Sequence, residues 1–440
     1  MRYALISKIL PIDKLTEEAT RIGAKNVKVA KLVNEVFCEL DEDQIASLSK
    51  IPGIDIKRLV SYTPSQILSV VRADPNTQYM NTIPMSTIPM DSVPMDAVWN
   101  IFHHIRAHFT PPLTGSGLTV AVLDTGVRKT HTSLNNKIIQ EYNFSGSPSP
   151  DDVWGHGTQV AFIIAGGEHN TNITGVSPGA FIINVKVISD SGSASDEELV
   201  LGINAVCAKV QQCIEGGYRP TDPEWPNVIN LSLGAPDDGD PNNPVRAACR
   251  VASSQYMLDV IASAGNDGPS MTTIRSPGTE PEVITVGAVE APYIASIWDK
   301  SSRGPTIEGE TKPDFVLWGV DIEAASDRSD TEYIAKSGTS FSAPILSGLT
   351  GLLWETGRRA YGEHWRFRWT EARKYAERFC IKPEGAPQIK GNTYGYGLPA
   401  MGTMMEQIMR GTSSRSRVTG DPGPIMAVTL MMSLIELMGN

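Results

Sequence analysis

The sequence predicts an α/β protein: a mostly parallel central sheet with helices on both faces, preceded by a small α+β module. Three observations predict it. The hydrophobic run at 118–123 stops at Asp124 and reads as a buried parallel strand, which needs apolar side chains on both faces. Residues 340–353 read as a helix, with small residues on one side and Ile345, Leu346, Leu349, Leu352 and Leu353 available for packing. Residues 1–60 carry their own short alternation of strands and helices. At 440 residues and 41% apolar content the chain can bury a large core and exceeds one ordinary domain.

In chain order, 3–9 reads as a strand, 13–22 as a helix, 27–30 and 35–40 as short extended runs, 41–50 as a second helix and 54–60 as a last strand. Pro52-Gly53 marks the turn before that strand. This is a split β-α-β module of the ferredoxin-like kind. Residues 63–98 hold a five-residue repeat, Ile83-Pro-Met, Ile88-Pro-Met and Val93-Pro-Met, in which each proline prevents a regular helix or central strand. It reads as a stiff tether, or as a set of cleavage or cleft-blocking segments. After the domain at 99–410, residues 411–440 form a linker rich in Ser, Arg, Gly and Pro, then an apolar stretch too short to span a bilayer, which takes roughly 20 residues. That stretch reads as a helix packed on the body, a self-association element or a weak membrane contact.

Four islands carry chemistry: Asp124-Thr-Gly, Gly155-His-Gly-Thr, Ala264-Gly-Asn-Asp-Gly and Gly338-Thr-Ser-Phe-Ser-Ala-Pro. A serine hydroxyl is a poor nucleophile at neutral pH, so Ser340 needs a base, and His156 is the only histidine with glycine on both sides. Asp124, delivered to the carboxyl edge of a parallel strand, would hold the imidazole tautomer. Ser340 at a helix N-terminus gains a backbone N–H and a positive dipole end for a developing oxyanion, and the Asn266 amide supplies a second donor.

These residues resemble the subtilisin-like serine peptidases, the subtilase family, whose triad runs Asp, His, Ser along the chain. Asn230-Leu-Ser-Leu-Gly-Ala, Val283-Ile-Thr-Val-Gly-Ala-Val, Ser301-Ser-Arg-Gly-Pro and Tyr394-Gly-Tyr-Gly-Leu-Pro-Ala add further matches, so the resemblance covers roughly 99–409. It implies a serine endopeptidase acting on extended polypeptides through an acyl-enzyme. Ser232, Leu233 and Gly234 would form one substrate-binding edge, and Gly192, Ser193 and Ala194 the other. By the same resemblance, residues 1–62 would be an inhibitory prodomain and intramolecular partner, its tail lying across the cleft. The first cut is expected after Tyr62, whose large side chain suits a primary pocket. The alternative is a catalytically silent scaffold of the same fold, against which the intact islands argue.

No cofactor is needed for this chemistry. The resemblance implies a calcium site, but Thr132-Ser133 stands where the family often has Pro-Asp, and 170–175 is short for a calcium loop. A strong site there looks incomplete, and Asp237-Asp-Gly-Asp offers only a weak substitute. Trp154 and Gln159 also depart from the usual residues around the base. His104 and His108, at i and i+4, lack a carboxylate or cysteine at ligand spacing and read as packing or solvated groups. Met401, Met404, Met405 and Met409 read as core filler.

The formal charge of −11 is uneven: residues 1–60 hold ten Lys plus Arg and nine Asp plus Glu, net +1, leaving −12 for the rest. That suits docking between module and enzyme, and no basic stretch suggests nucleic acid. Five cysteines without framework spacing, and no apolar signal core at the start, make a cytoplasmic location the expectation, with a secreted one as the alternative.

Overall fold

The computed structural model describes residues 1–7, 10–31, 34–64, 97–167, 173–290, 296–383, 386–387 and 389–414. The proline–methionine repeats and the apolar segment near residue 430 lie outside the described residues.

The front module is a four-stranded antiparallel sheet in the spatial order Lys25–Ala30, Glu35–Glu39, Arg2–Ile6, Asp55–Arg58. Helix Ile12–Arg21 follows the first strand and helix Glu42–Leu48 precedes the last. The second helix begins in a capping box: the Gln44 N–H donates to Asp41 Oδ1 at 2.9 Å and the Asp41 N–H to Gln44 Oε1 at 3.0 Å. Strand alternation assigns the two faces of this sheet. Tyr3 and Leu5 pack with the module's helices, whereas Ala4, Ile6 and Phe37 join the core of the larger domain.

The larger domain is built on seven strands, every neighbouring pair parallel, in the order Phe315–Trp318, Ile284–Val289, Asp259–Ser263, Val228–Leu231, Thr119–Asp124, Phe181–Lys186, Ile138–Asn143. Helices His156–Ala165 and Thr339–Tyr361 cover one face, and Asp196–Glu215 and Pro244–Gln255 the other. The strand Thr119–Asp124 therefore sends Val120 and Val122 into one core and Ala121 and Leu123 into the other. From this strand the chain first builds the sheet to one side, then crosses to the other. Asp124 thus stands at the switch point, the carboxyl-end crevice where open α/β sheets place their ligands.

The helix expected over 340–353 extends further, Thr339–Tyr361, because its first twenty residues are all buried and its packing face continues. It crosses the helix carrying His156 at Gly348, where a β-carbon would come 2.7 Å from Val176 Cβ and 3.3 Å from the Ile164 carbonyl. Met401, Met404 and Met405 are buried against the core, while Met409 is partly exposed. All five cysteines are free thiols. Among the described residues, no helix is long and apolar enough to cross a membrane.

Because close packing at Gly348 sets the spacing of the two helices that carry His156 and Ser340, Gly348→Val is expected to cost about 1–3 kcal/mol. Thermal unfolding would show a midpoint several degrees below wild type, and an unchanged midpoint would count against this crossing.

Candidate active site

Asp124 ends the central strand, and its Oδ1 accepts both the Thr125 N–H and His156 Nδ1 at 2.7 Å. Both side chains are buried. A carboxylate only accepts, so Nδ1 carries the proton and the neutral ring keeps its lone pair on Nε2. Nε2 is itself buried and has no hydrogen-bond partner among the described residues.

A second buried carboxylate holds the turn into the histidine helix. Asp152 accepts from the N–H groups of Trp154, Gly155 and Thr158, each at 2.9 Å, and from the hydroxyls of Thr158 at 2.7 Å and Thr125 at 2.9 Å. The strand end and the helix start are thereby tied to one anchor. The two glycines around His156 have separate reasons. Gly155 caps the helix at φ 83°, a left-handed conformation. At Gly157 a β-carbon would lie 2.1 Å from the Gly126 carbonyl.

Ser340 is the second residue of its helix, so its N–H is among those without an intrahelical acceptor. Pro344, four residues on, has no N–H to give the Ser340 carbonyl. The Ser232 hydroxyl supplies it instead at 2.9 Å, and the Ser340 hydroxyl donates back to the Ser232 carbonyl at 3.0 Å. Asn230 and Ser347 reinforce the link, Asn230 Nδ2 donating to Ser232 Oγ at 3.0 Å and Ser347 Oγ to Asn230 Oδ1 at 2.9 Å. Asn266 is oriented by Thr339, whose N–H and hydroxyl donate to Asn266 Oδ1 at 3.0 and 2.9 Å. That fixes Nδ2 as the end of the amide facing Gly338, 3.2 Å from where a β-carbon would sit there.

The segments expected to edge the cleft meet a strand from the front of the chain. Strand Ser61–Pro64 lies antiparallel between Ala194–Ser195 and Leu233–Gly234, pairing Ser61 with Ser195, Tyr62 with Ala194, Thr63 with Gly234 and Pro64 with Leu233. Of the residues expected to form the edges, Ala194, Leu233 and Gly234 pair with this strand. Ser232 holds the serine helix. Gly192 and Ser193 instead close a tight turn, the Gly192 N–H donating to the Ser189 carbonyl at 2.8 Å and the Ser189 N–H to the Ser193 carbonyl at 2.9 Å. Trp154 packs on that turn: a β-carbon on Gly192 would lie 2.3 Å from its ring.

Tyr62, after which the cut is expected, pairs with the edge Ala194–Ser195 and not with Leu233–Gly234. Tyr62 faces Ala194 and is fully buried, its hydroxyl 3.1 Å from Asp196 Oδ1. Beyond it Thr63 and Pro64 pair with Gly234 and Leu233, so Pro64 is the described residue of this strand that pairs nearest to Ser232. Bulk identified Tyr62 as a pocket residue; the pairing sets it beside Ala194 with its hydroxyl against Asp196. Asp196 was missed because an acidic residue in a first helical turn reads as a favourable dipole partner.

The front module meets the domain through charge as well as apolar packing. Arg2 and Lys28 reach Glu197 at 2.9 and 2.8 Å, and Lys57 pairs with Asp240. Glu197 sits in the first turn of helix Asp196–Glu215, and Asp240 just before helix Pro244–Gln255. Glu35 is buried in the same interface, where desolvation and then the Asp196 charge raise its pKa to about 8. Burial likewise raises Asp196 to about 6, against hydrogen bonds from Val60, Asn243 and Tyr62.

The residues at the expected calcium position bond within the protein. Thr132 donates through N–H and hydroxyl to the Asp330 carbonyl at 2.8 and 3.0 Å, and Ser133 Oγ bonds the Tyr333 hydroxyl. Asp237 and Asp240 face Arg246 and Lys57, so this set does not fit a calcium cage. Among the described residues, no group of three His, Cys, Asp or Glu is disposed to hold a metal. His108 stacks edge-on against Phe109, and the side chain of His104 lies outside the described residues.

A carboxylate, an imidazole and a serine at a helix N-terminus, gathered at the carboxyl edge of a parallel sheet, define a serine hydrolase arrangement. Residues 115–397 match the profile of the subtilase family, and the chain belongs to that family of serine peptidases. It is 35% identical over 265 residues to Serine protease AprX of Bacillus subtilis, spanning 55% of this chain and 58% of that relative. It is 28% identical to the Intracellular serine protease of Paenibacillus polymyxa over 77% of this chain and 90% of the relative. Fervidolysin from Fervidobacterium pennivorans superposes on 92% of this chain, and 60% of its own, at a TM-score of 0.68 and 19% identity, a likeness of fold. Sphericase matches 68% of this chain and 96% of its own at a TM-score of 0.54 and 27% identity.

Removing the Asn266 donor with Asn266→Ala is expected to lower kcat about 10²–10³-fold with little change in KM. A kcat within threefold of wild type would remove Asn266 from the oxyanion role.

Proposed function

We propose that this subtilase is a serine endopeptidase made as a self-inhibited, self-processing precursor, with residues 1–62 as its intramolecular inhibitor. The observation that carries this reading is strand Ser61–Pro64, seated in the cleft as an extended polypeptide would be, with main-chain pairing on both sides. Opposite charges at the module interface support docking.

In the proposed reaction, Ser340 turns its hydroxyl from the Ser232 carbonyl toward His156 Nε2. His156 takes the proton as Oγ attacks the substrate carbonyl, and Asp124 holds the ring and stabilises the imidazolium. The oxyanion receives the Asn266 Nδ2 and Ser340 N–H donors. His156 then gives its proton to the leaving amine, and water, deprotonated by the same ring, releases the acyl group. Polypeptides are the substrate, and the unpaired thiols support a reducing interior as the place of action.

Pro64 pairs with Leu233, the neighbour of Ser232, and on that basis the next residue of the sequence, Ser65, is the one proposed to supply the attacked carbonyl. Purified wild type at neutral pH is expected to lose residues 1–65 and show Gln66 as a new N-terminus by intact mass and sequencing. Ser340→Ala should stay full length. Both chains remaining intact, with no labelling of Ser340 by a fluorophosphonate, would favour the silent scaffold.

Docking is also expected to depend on pH. Glu35 and Asp196 have raised pKa values in the docked state, so docking is strongest where both stay protonated even when undocked. It weakens as pH climbs through about 6 and then about 8. Groups facing Glu35 include Lys57, which opposes this shift, and Asp196, which adds to it. Fluorophosphonate labelling in the presence of the front module, cut or uncut, should therefore accelerate at least tenfold more in wild type than in Glu35→Gln between pH 6 and 8.5. Coincident profiles would contradict the assignment.

A further inference from the structure

Resting on the reading that the cleft receives substrate strands, we propose that Asp196 makes it tyrosine-selective. It reads the phenol of the residue paired with Ala194, three residues before the one whose carbonyl Ser340 attacks. The Tyr62 ring is fully buried, in the same apolar cluster as Leu199, Leu233, Val245 and Cys249, which suits a flat aromatic side chain. The far end of that ring meets a polar group: the hydroxyl donates to Asp196 Oδ1 at 3.1 Å.

Asp196 is held ready for this contact. Asn243 Nδ2 donates to the same Oδ1 at 3.3 Å, and Asn243 is itself fixed as the cap of helix Pro244–Gln255, accepting from the Val245 and Arg246 N–H groups. The other carboxylate oxygen accepts the Val60 N–H, and the Asp196 N–H donates to the Val60 carbonyl at 3.1 Å. One residue therefore grips the main chain of an incoming strand two positions before the tyrosine and the hydroxyl at the tip of the tyrosine itself.

This pairing sets the direction of selectivity. A phenylalanine fills the apolar walls equally well but brings a C–H against a buried carboxylate oxygen, which loses a donor. Sites built to bond a substrate hydroxyl discriminate strongly against analogues that lack it. An aliphatic side chain loses both the hydroxyl and the aromatic contact. The front module contributes Glu35 to the neighbourhood and takes it away on leaving, whereas Asp196 and Asn243 belong to the enzyme.

The test compares kcat/KM for the fluorogenic amides of Tyr-Thr-Pro-Ser and Phe-Thr-Pro-Ser, after full-length chain has been incubated at neutral pH until its turnover of casein is steady. Wild type is expected to prefer tyrosine at least tenfold. In Asp196→Ala the ratio should fall below threefold, through loss on the tyrosine peptide alone. Equal rates in wild type, or a preference that survives in Asp196→Ala, would overturn the proposal. Casein turnover reports the peptidase reading separately: a chain that degrades casein and treats both peptides alike keeps its function and loses this site. For a chain without turnover, melting midpoints of Tyr62→Phe, Asp196→Ala and the double variant, all on Ser340→Ala, decide. A double variant no less stable than the weaker single one supports the contact, and additive losses overturn it.

Discussion

The reciprocal pair of hydrogen bonds between Ser232 and Ser340 is the constraint on which the site depends. A proline four residues after Ser340 strips the Ser340 carbonyl of its usual donor, and the Ser232 hydroxyl replaces it. The Ser340 hydroxyl returns a bond to the Ser232 carbonyl. The N-terminus of a long buried helix is thus fastened to the chain segment that continues into the edge Leu233–Gly234. Ser340 and the edge Leu233–Gly234 share one anchor, so a strand in register with that edge is in register with the serine. Asp152 does the same for the opposite wall, tying the end of the central strand to the start of the histidine helix.

The front module uses the same geometry from outside. Its sheet packs one face under its own helices and turns Ala4, Ile6, Ala30 and Phe37 on the other into the core of the larger domain, while Asn26 and Lys28 on the edge strand stay exposed. Arg2, Lys28 and Lys57 approach acidic groups at the starts of these helices. Such acids favour the helix dipole before any partner arrives, and so they form a ready-made docking surface for a basic one. Two carboxylates, Glu35 and Asp196, are buried beside that attraction, and burial raises the pKa of each.

Much of this was legible in the sequence where local chemistry forces local structure. The run ending at Asp124 had to be a doubly buried strand, the glycines around His156 had to allow backbone approach, and Asn266 had to be a side-chain donor near a helix start. The elements of the front module also fall close to where alternation and turn residues place them. What was not legible depends on register and on long-range closure. Gly192 and Ser193 read as an edge but close the turn before it. Tyr62 reads as the residue at the cut because of its size, and side-chain size names a pocket without saying which one. Asp196 has no local mark of its role, since its partners come from residues 60, 62 and 243.

Amide hydrogen exchange on full-length Ser340→Ala, resolved to individual residues, tests the central claim most directly. The account predicts slow, jointly varying exchange for the paired amides of 61–63, 194–196 and 233–234, as expected of one three-stranded unit closed by the module tail. Fast exchange throughout 61–63, with 233–234 exchanging independently of them, would show that the tail does not occupy the cleft and would contradict the account.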